Sequence, residues 1–381
     1  MAADTFEVAV VADLLEERWP SMDLMAEMVM THTGREGTAF SPVLLRPAFR
    51  PAAHMPRTIE RYVRRFWSYP RWLRRQPPAD VYHVVDHSYA HLVNHLPAGR
   101  VVVTCHDTDA FRTVLSPGRR ESNLPRALVE RVLKGLRRAA IVVCDSEAVR
   151  AELLSHALVP EDRIVVVPIG AHPSFAAAPD ADADAAAEAL TAGSRGAGLL
   201  HVGSTIPRKR IDVLLETVGR VAAQRPDVTL WRVGGPFTPA QLAQVRELGL
   251  AGRITVMPFV RRPVLAALYR RASLVLLPSD REGFGLPVVE AMACGIPVLA
   301  SDLPVLREVG GEAADYCAAG SPGTWADRVL SLLDQRESSP ARWTARRAAG
   351  LERAAMFSWE RYGAAMSDVY ARVAAAAGRR A

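Results

Sequence analysis

Short apolar runs rich in β-branched residues alternate with longer amphipathic stretches along almost the whole chain. Val8–Val11, Val81–Val85, Arg100–Thr104, Ile141–Cys144 and Ile164–Val167 read as strands. Residues 176–198 are dominated by alanine, aspartate and glycine and carry no apolar stripe. The pattern there predicts a linker or flexible surface segment over 179–198. The alternation then restarts: Leu199–Val202, Thr229–Val233, Ile254–Met257, Leu274–Leu277 and Pro297–Ala300 read as strands, with helical stretches such as Ile211–Ala223 and Val288–Ala293 between them. Strands that alternate with helices build parallel sheets covered on both faces. The expected fold class is therefore α/β, with two doubly wound domains over 1–178 and 199–355. A last helix within 356–381 repeats Trp359, Tyr362, Met366, Val369 and Tyr370 at helical spacing and is expected to pack across the domain boundary. Ligands of such sheets bind at the carboxyl ends of the strands, and a cleft between two domains is the natural place for them.

Composition narrows the function classes. The chain has 381 residues, 49% hydrophobic and 23% charged, enough for two cores. No stretch approaches the roughly 20 apolar residues that a membrane-spanning helix needs. The opening carries acids and an apolar run, Phe6–Ala12, only as long as a strand, which does not read as a secretory signal. Cys105, Cys144, Cys294 and Cys317 form no closely spaced pair and read as small core residues in a reducing compartment, not as a disulfide or zinc framework. A cytoplasmic location is expected, with the inner face of a membrane open as an alternative. The net charge of +6 is concentrated in one segment, for residues 57–75 hold seven arginines and a single acid, Glu60. Ile59, Tyr62, Val63, Phe66 and Trp67 repeat there at helical spacing, with arginines on the other face and Pro70 expected to stop the helix. Such a segment fits an ordinary helix packed on the first domain, and it also fits peripheral membrane contact through 57–75. With the rest of the chain balanced in charge, no nucleic-acid partner is expected.

Two segments carry chemistry. The first, DREGFGLPVVEAMACGIPV over 280–298, follows a predicted strand. Gly283 and Gly285 let the loop bend close to a ligand, and Pro287 suits the first turn of a helix. The N–H groups of Phe284, Gly285 and Leu286 then crowd a helix start, where anions and sugar hydroxyls bind. Glu282 precedes that helix. Glu290 lies inside it, near enough to the mouth to accept hydrogen bonds from a ribose diol. The second segment, HVGSTIPRKRIDVLLE over 201–216, turns at Gly203 and places Arg208, Lys209 and Arg210 at a helix start. Cations there oppose the helix dipole at about 0.3–1 kcal/mol each, a cost that a bound diphosphate reverses.

These segments resemble a retaining glycosyltransferase of family four, the glycosyl transferases of group 1, with the GT-B fold of two Rossmann-like domains facing across a cleft. The resemblance is most specific over 199–310 and weakest before about residue 80. It implies a hexosyl transfer from a UDP- or GDP-linked sugar to a hydroxyl acceptor, whether glycan, lipid-linked or small molecule. It implies that Glu290 binds the nucleotide ribose and that Glu282 lies beside the donor sugar. Phe284, Gly285 and Leu286 would approach sugar and phosphate, and Lys209 falls on the family's diphosphate lysine, with Gly203 and Arg208 beside it. His106, after the strand ending at Thr104, resembles the family's cleft histidine that contacts the donor sugar. The expected catalytic set is Glu282, His106 and Lys209. Ser146 and Gly170 match further landmarks, read as a helix cap and a tight turn. Two departures stand out: Ser204 occupies a position often held by arginine, and the first loop, 13–23, has no glycine. Ser21 is expected to cap the helix that follows that loop. No cofactor is expected beyond the co-substrate. No metal is expected either, although Asp107 and Asp109, and Asp180, Asp182 and Asp184, alternate in a way that holds divalent cations in another glycosyltransferase fold. A nucleotide-sugar epimerase and a non-catalytic nucleotide-sugar binding module are the other readings.

Overall fold

The computed structural model describes residues 6–34, 40–50, 55–115, 125–194 and 196–378. The chain forms two compact units, Met1–Ile169 with Trp359–Ala381, and Gly170–Ser358.

The first unit is built on six parallel strands: β1 (Phe6–Val11), β2 (Phe40–Leu45), β3 (Val81–Val84), β4 (Val101–Cys105), β5 (Ile141–Cys144) and β6 (Ile164–Val166). Their order is β2-β1-β3-β4-β5-β6. The central strands are buried on both faces, which is why they read as continuous apolar runs. β2 escaped the pattern because it is an edge strand: Pro42 sits in it and only Phe40 and Leu45 are buried. The helices of this unit include α1 (Pro20–His32), α2 (Arg57–Val63), α3 (Tyr69–Leu73), α4 (Arg126–Arg138) and α5 (Glu147–Ser155). Pro70 does not stop the helix. A π turn over Arg64–Ser68 joins α2 to α3, and the chain stays helical through the proline. The wider turn eases the clash between the proline ring and the carbonyl four residues back. Ser146 caps α5 as expected, accepting from Val149 N–H at 3.2 Å. Ser21 does not cap α1, since the helix already starts at Pro20.

The C-terminal helix, Trp359–Gly378, is an integral part of the first unit. It packs on α1, β3 and β4 and buries Trp359, Tyr362, Met366 and Tyr370 almost completely. The Tyr370 hydroxyl lies 2.7 Å from Nδ1 of His83, whose Nε2 lies 2.7 Å from the Thr104 hydroxyl. The apolar spacing found the helix, but spacing does not say which core receives it.

The second unit is another all-parallel sheet: β7 (Gly198–Val202), β8 (Thr229–Val233), β9 (Ile254–Met257), β10 (Leu274–Leu277), β11 (Val298–Ser301) and β12 (Asp315–Cys317). The order is β12-β11-β10-β7-β8-β9, so the direction of winding reverses between β7 and β10. Its helices include α6 (Ala181–Thr191), α7 (Ile211–Gln224), α8 (Arg262–Arg271), α9 (Leu286–Ala293), α10 (Pro322–Ser338) and α11 (Pro340–Ala354). The unit begins at Gly170, ahead of the expected boundary at 178, and the expected linker over 179–198 contains α6. Asp180 caps this helix through Ala183 N–H, and Arg270 of α8 pairs with Asp184 at 2.6 Å. Ala183 and Ala187 are buried in the contact. Alanine favours helix strongly but adds almost nothing to an apolar stripe, so the pattern missed a real helix.

Candidate donor site

In an open parallel sheet, ligands bind outside the carboxyl ends of the strands where the winding reverses. In the second unit that point lies between β7 and β10, and both chemistry-bearing segments leave the sheet there. After β7, Gly203 turns the chain and a 3-10 turn, Pro207–Lys209, leads into α7. After β10, the loop 278–285 leads into α9. The Asp280 N–H donates to the Arg208 carbonyl at 2.8 Å and ties the two loops together.

Glu282 is the centre of the site. Its side chain is 6% exposed. Lys209 Nζ donates to its Oε1 at 2.6 Å, the Ser279 hydroxyl donates to the same oxygen at 2.7 Å, and Arg208 Nη1 donates to Oε2 at 3.3 Å. Burial pushes the carboxyl up, but Lys209, Arg208 and the hydrogen bonds from Lys209 and Ser279 outweigh it and hold it below the usual range. Two cations against one carboxylate leave a net positive mouth. Arg210, the third cation of the segment, is not available in the same way: it pairs with Asp212 at 2.8 Å and with Asp280 at 2.9 Å.

Gly285 stands at the start of α9 with φ of 93°, and a side chain there would place Cβ 2.5 Å from Leu306. Only glycine fits that turn. Phe284 points the other way, buried against Phe357 with ring centroids 5.6 Å apart, which anchors the loop. Leu286 and Pro287 open the helix. Glu290 lies one turn further in, 8% exposed, and accepts from the Tyr269 hydroxyl at 2.9 Å. Burial raises its pKa to about 7 despite that hydrogen bond and the pull of Arg262 and Lys209.

The sequence reading missed two supports of this site. Arg232 on β8 is fully buried and donates to the Gly203 carbonyl at 3.1 Å and to the Gly235 carbonyl. Burial lowers its pKa to about 10. Gly234 has φ of 129°, and a Cβ there would lie 2.0 Å from the Gly203 carbonyl oxygen, so the two loops close on each other only because Gly234 has no side chain. A signal for Gly234 existed in the Gly-Gly pair that ends β8; Arg232 gave none.

His106 belongs to the first unit. Its Nδ1 lies 2.5 Å from Asp145 Oδ2 and its Nε2 lies 2.8 Å from the Val85 carbonyl oxygen. Both neighbours are acceptors, so both ring nitrogens must carry protons. Burial works against that charge, but Asp145, Asp86 and the Val85 carbonyl prevail and raise the pKa to about 9. Asp107 accepts from the Asp109 N–H and stands 3.4 Å from His87, while Asp109 pairs with Arg112 at 2.8 Å. Among the described residues no group of three His, Cys, Asp or Glu side chains is gathered as for a metal ion.

Comparison with known proteins gives these loops a family. The sequence model described as Glycosyltransferase Family 4 matches residues 8–175, and that described as Glycosyl transferases group 1 matches residues 196–335. The chain belongs to glycosyltransferase family four. Among relatives of this family, the D-inositol 3-phosphate glycosyltransferase of Thermobispora bispora is 34% identical over 232 residues, covering 58% of this chain and 53% of that protein. The protein of the same name from Mycolicibacterium smegmatis is 38% identical over 196 residues, 47% of this chain and 43% of that protein. The chain spans about half the length of the curated relatives it matches. Solved structures share the fold. Sucrose-phosphate synthase from Thermosynechococcus elongatus has a TM-score of 0.75 at 19% identity, covering 97% of this chain and 100% of that one. Anabaena Alr3699/HepE, solved with UDP and glucose, has a TM-score of 0.74 at 14% identity with the same coverage. The family-four chain thus has the GT-B fold expected of it.

Proposed function

We propose that this protein is a retaining glycosyltransferase whose second unit binds a nucleotide-diphosphate sugar. The observation that carries the reading is the pairing of Lys209 and Arg208 with the buried Glu282 at the reversal point of the second sheet, beside the start of α9. The donor diphosphate takes its place at Lys209 and Arg208, and Glu290 receives the ribose hydroxyls. Relatives with the same fold point the same way, for Anabaena Alr3699/HepE has been solved with UDP-glucose.

In the proposed reaction the bond from the anomeric carbon to the diphosphate oxygen breaks, and an acceptor hydroxyl bonds to the same face of that carbon. Lys209, Arg208 and the helix start stabilise charge as it grows on the leaving diphosphate. The acceptor proton passes to the departing phosphate oxygen. Glu282, already held by two cations and Ser279, orients rather than attacks. His106 serves as a fixed imidazolium of the first unit, which carries the acceptor. With both nitrogens protonated it is not a base. The residues supply cations and helix termini where a metal would otherwise act, so the reaction proceeds without a divalent ion.

A thermal-shift panel of UDP- and GDP-sugars tests this on the wild type, on Lys209→Ala and on Glu290→Gln. A donor that stabilises only the wild type, and that releases nucleotide once an acceptor is added, supports the reading. A folded wild type that no donor shifts would sink it.

A further inference from the structure

The helical segment 57–73 does not bury its apolar repeat in the expected way. Phe66 is fully buried, yet Ile59 is 53% exposed and Trp67 is 44% exposed. Two of the seven arginines are turned inward instead. Arg64 pairs with Glu60 and Glu16, and Arg65 sits between Glu17 and the ring of Tyr89, 4.2 Å from its centroid. Arg57, Arg61, Arg71, Arg74 and Arg75 are exposed.

The buried arginines fasten this helix to the loop after β1. Glu16 and Glu17 lie in a 3-10 turn, Leu15–Glu17, and hold Arg64 and Arg65. The same turn and its sequel present Leu15 at 56% exposure, Arg18, and Trp19 at 44% exposure. Two elements far apart in sequence are therefore locked together with two tryptophans, two aliphatic side chains and six arginines outward. The acids in the join, Glu16, Glu17 and Glu60, are each engaged by an arginine.

We infer that this face of the first unit docks on an anionic lipid bilayer. Exposed tryptophans are costly in water but suit the headgroup region, where one edge of the ring stays wet. Arginines around them match the negative surface of phosphatidylglycerol or phosphatidylserine. No helix among the described residues is long and apolar enough to cross a membrane, so the contact is peripheral. The loop carrying Leu15 and Trp19 leaves the first sheet between β1 and β3, its own reversal point, where ligands of such sheets bind. Docking there brings the carboxyl edge of that sheet to lipid-borne molecules.

The test sediments the full chain with vesicles of phosphatidylcholine alone, and with vesicles that are one-third phosphatidylglycerol, at low and at high salt. Binding to the anionic vesicles only, weakened by salt, is expected. Each reversal among Arg57→Glu, Arg61→Glu and Arg71→Glu is expected to cut partitioning by more than the roughly fivefold that loss of one basic residue costs. Trp19→Ala with Trp67→Ala removes the salt-resistant part, while Arg→Lys changes keep the binding. A donor thermal shift on each variant checks that the second unit is intact, so failure here is distinct from failure of the donor site. Wild type that stays in the supernatant with anionic vesicles, binding indifferent to both tryptophans, or tighter binding to single-stranded RNA than to vesicles would each overturn the inference.

Discussion

Replacing Glu290 by glutamine separates the cost of a buried carboxylate from its use. In the folded protein this carboxyl titrates near 7 instead of 4.5, because burial outweighs the hydrogen bond from Tyr269. At about 1.4 kcal/mol per pH unit, ionising it in place costs about 3 kcal/mol relative to the unfolded chain. The native state holds the proton more tightly than the unfolded state, so stability is greatest below the unfolded value and falls as pH rises through the interval from 4.5 to about 7. Glutamine keeps an oxygen for Tyr269 and has nothing to ionise. Equilibrium urea denaturation should therefore find Glu290→Gln close to wild type near pH 5 and more stable by about 3 kcal/mol near pH 8. Donor binding should run the opposite way. A ribose diol donates two hydrogen bonds and prefers the ionised carboxylate, so wild-type affinity for its UDP- or GDP-sugar should weaken about tenfold per unit as pH falls below about 7. The variant should bind weakly and without that slope. A stability difference equal at both pH values would refute the buried charge. A wild-type affinity flat with pH would refute the ribose contact.

Lys209→Ala leaves the buried Glu282 with only Arg208 and Ser279, and isothermal titration should show donor affinity reduced by at least tenfold, one charge-assisted bond being worth about 1.5–3 kcal/mol. Because Glu282 titrates below its unfolded value, that pair stabilises above the unfolded pKa and is lost as pH falls through the folded one; the stability cost of Lys209→Ala should shrink in acid. Gly234→Ala drives a Cβ into the Gly203 carbonyl and should destabilise the second unit by several degrees in a melt, whereas Gly235→Ala meets nothing within 4 Å and should cost less. Asp145→Asn removes the partner that keeps His106 charged. An NMR titration should find the imidazole pKa falling from about 9 towards or below 6.5, with the stability loss largest below pH 6.5 and fading as pH rises through 9.

How much of this was legible follows from where each signal resides. The central strands of both sheets are buried on two faces, so their sequences are unbroken apolar runs and their limits were read within a residue or two. β2 and β12 lie at sheet edges and left no such run, β2 because Ser41 and Pro42 interrupt it and only its ends are buried, β12 because it has three residues. Gly203, Lys209, Glu282 and Gly285 stood out because they break the apolar pattern in the segments that follow β7 and β10, and Glu290 because it is a carboxylate among the apolar residues of α9. Their tuning was not. Tyr269 sits on a helix remote in sequence from Glu290, Asp145 ends a strand other than that of His106, and Arg232 is a charge inside a strand that otherwise reads as core. Each acts through a contact fixed by strand order, and strand order is a property of the whole sheet. The reversal between β7 and β10 is what turns a lysine and a glutamate 73 positions apart into one 2.6 Å pair. A local motif therefore names groups that the fold gathers, while the protonation state of each is set by neighbours that only the fold supplies.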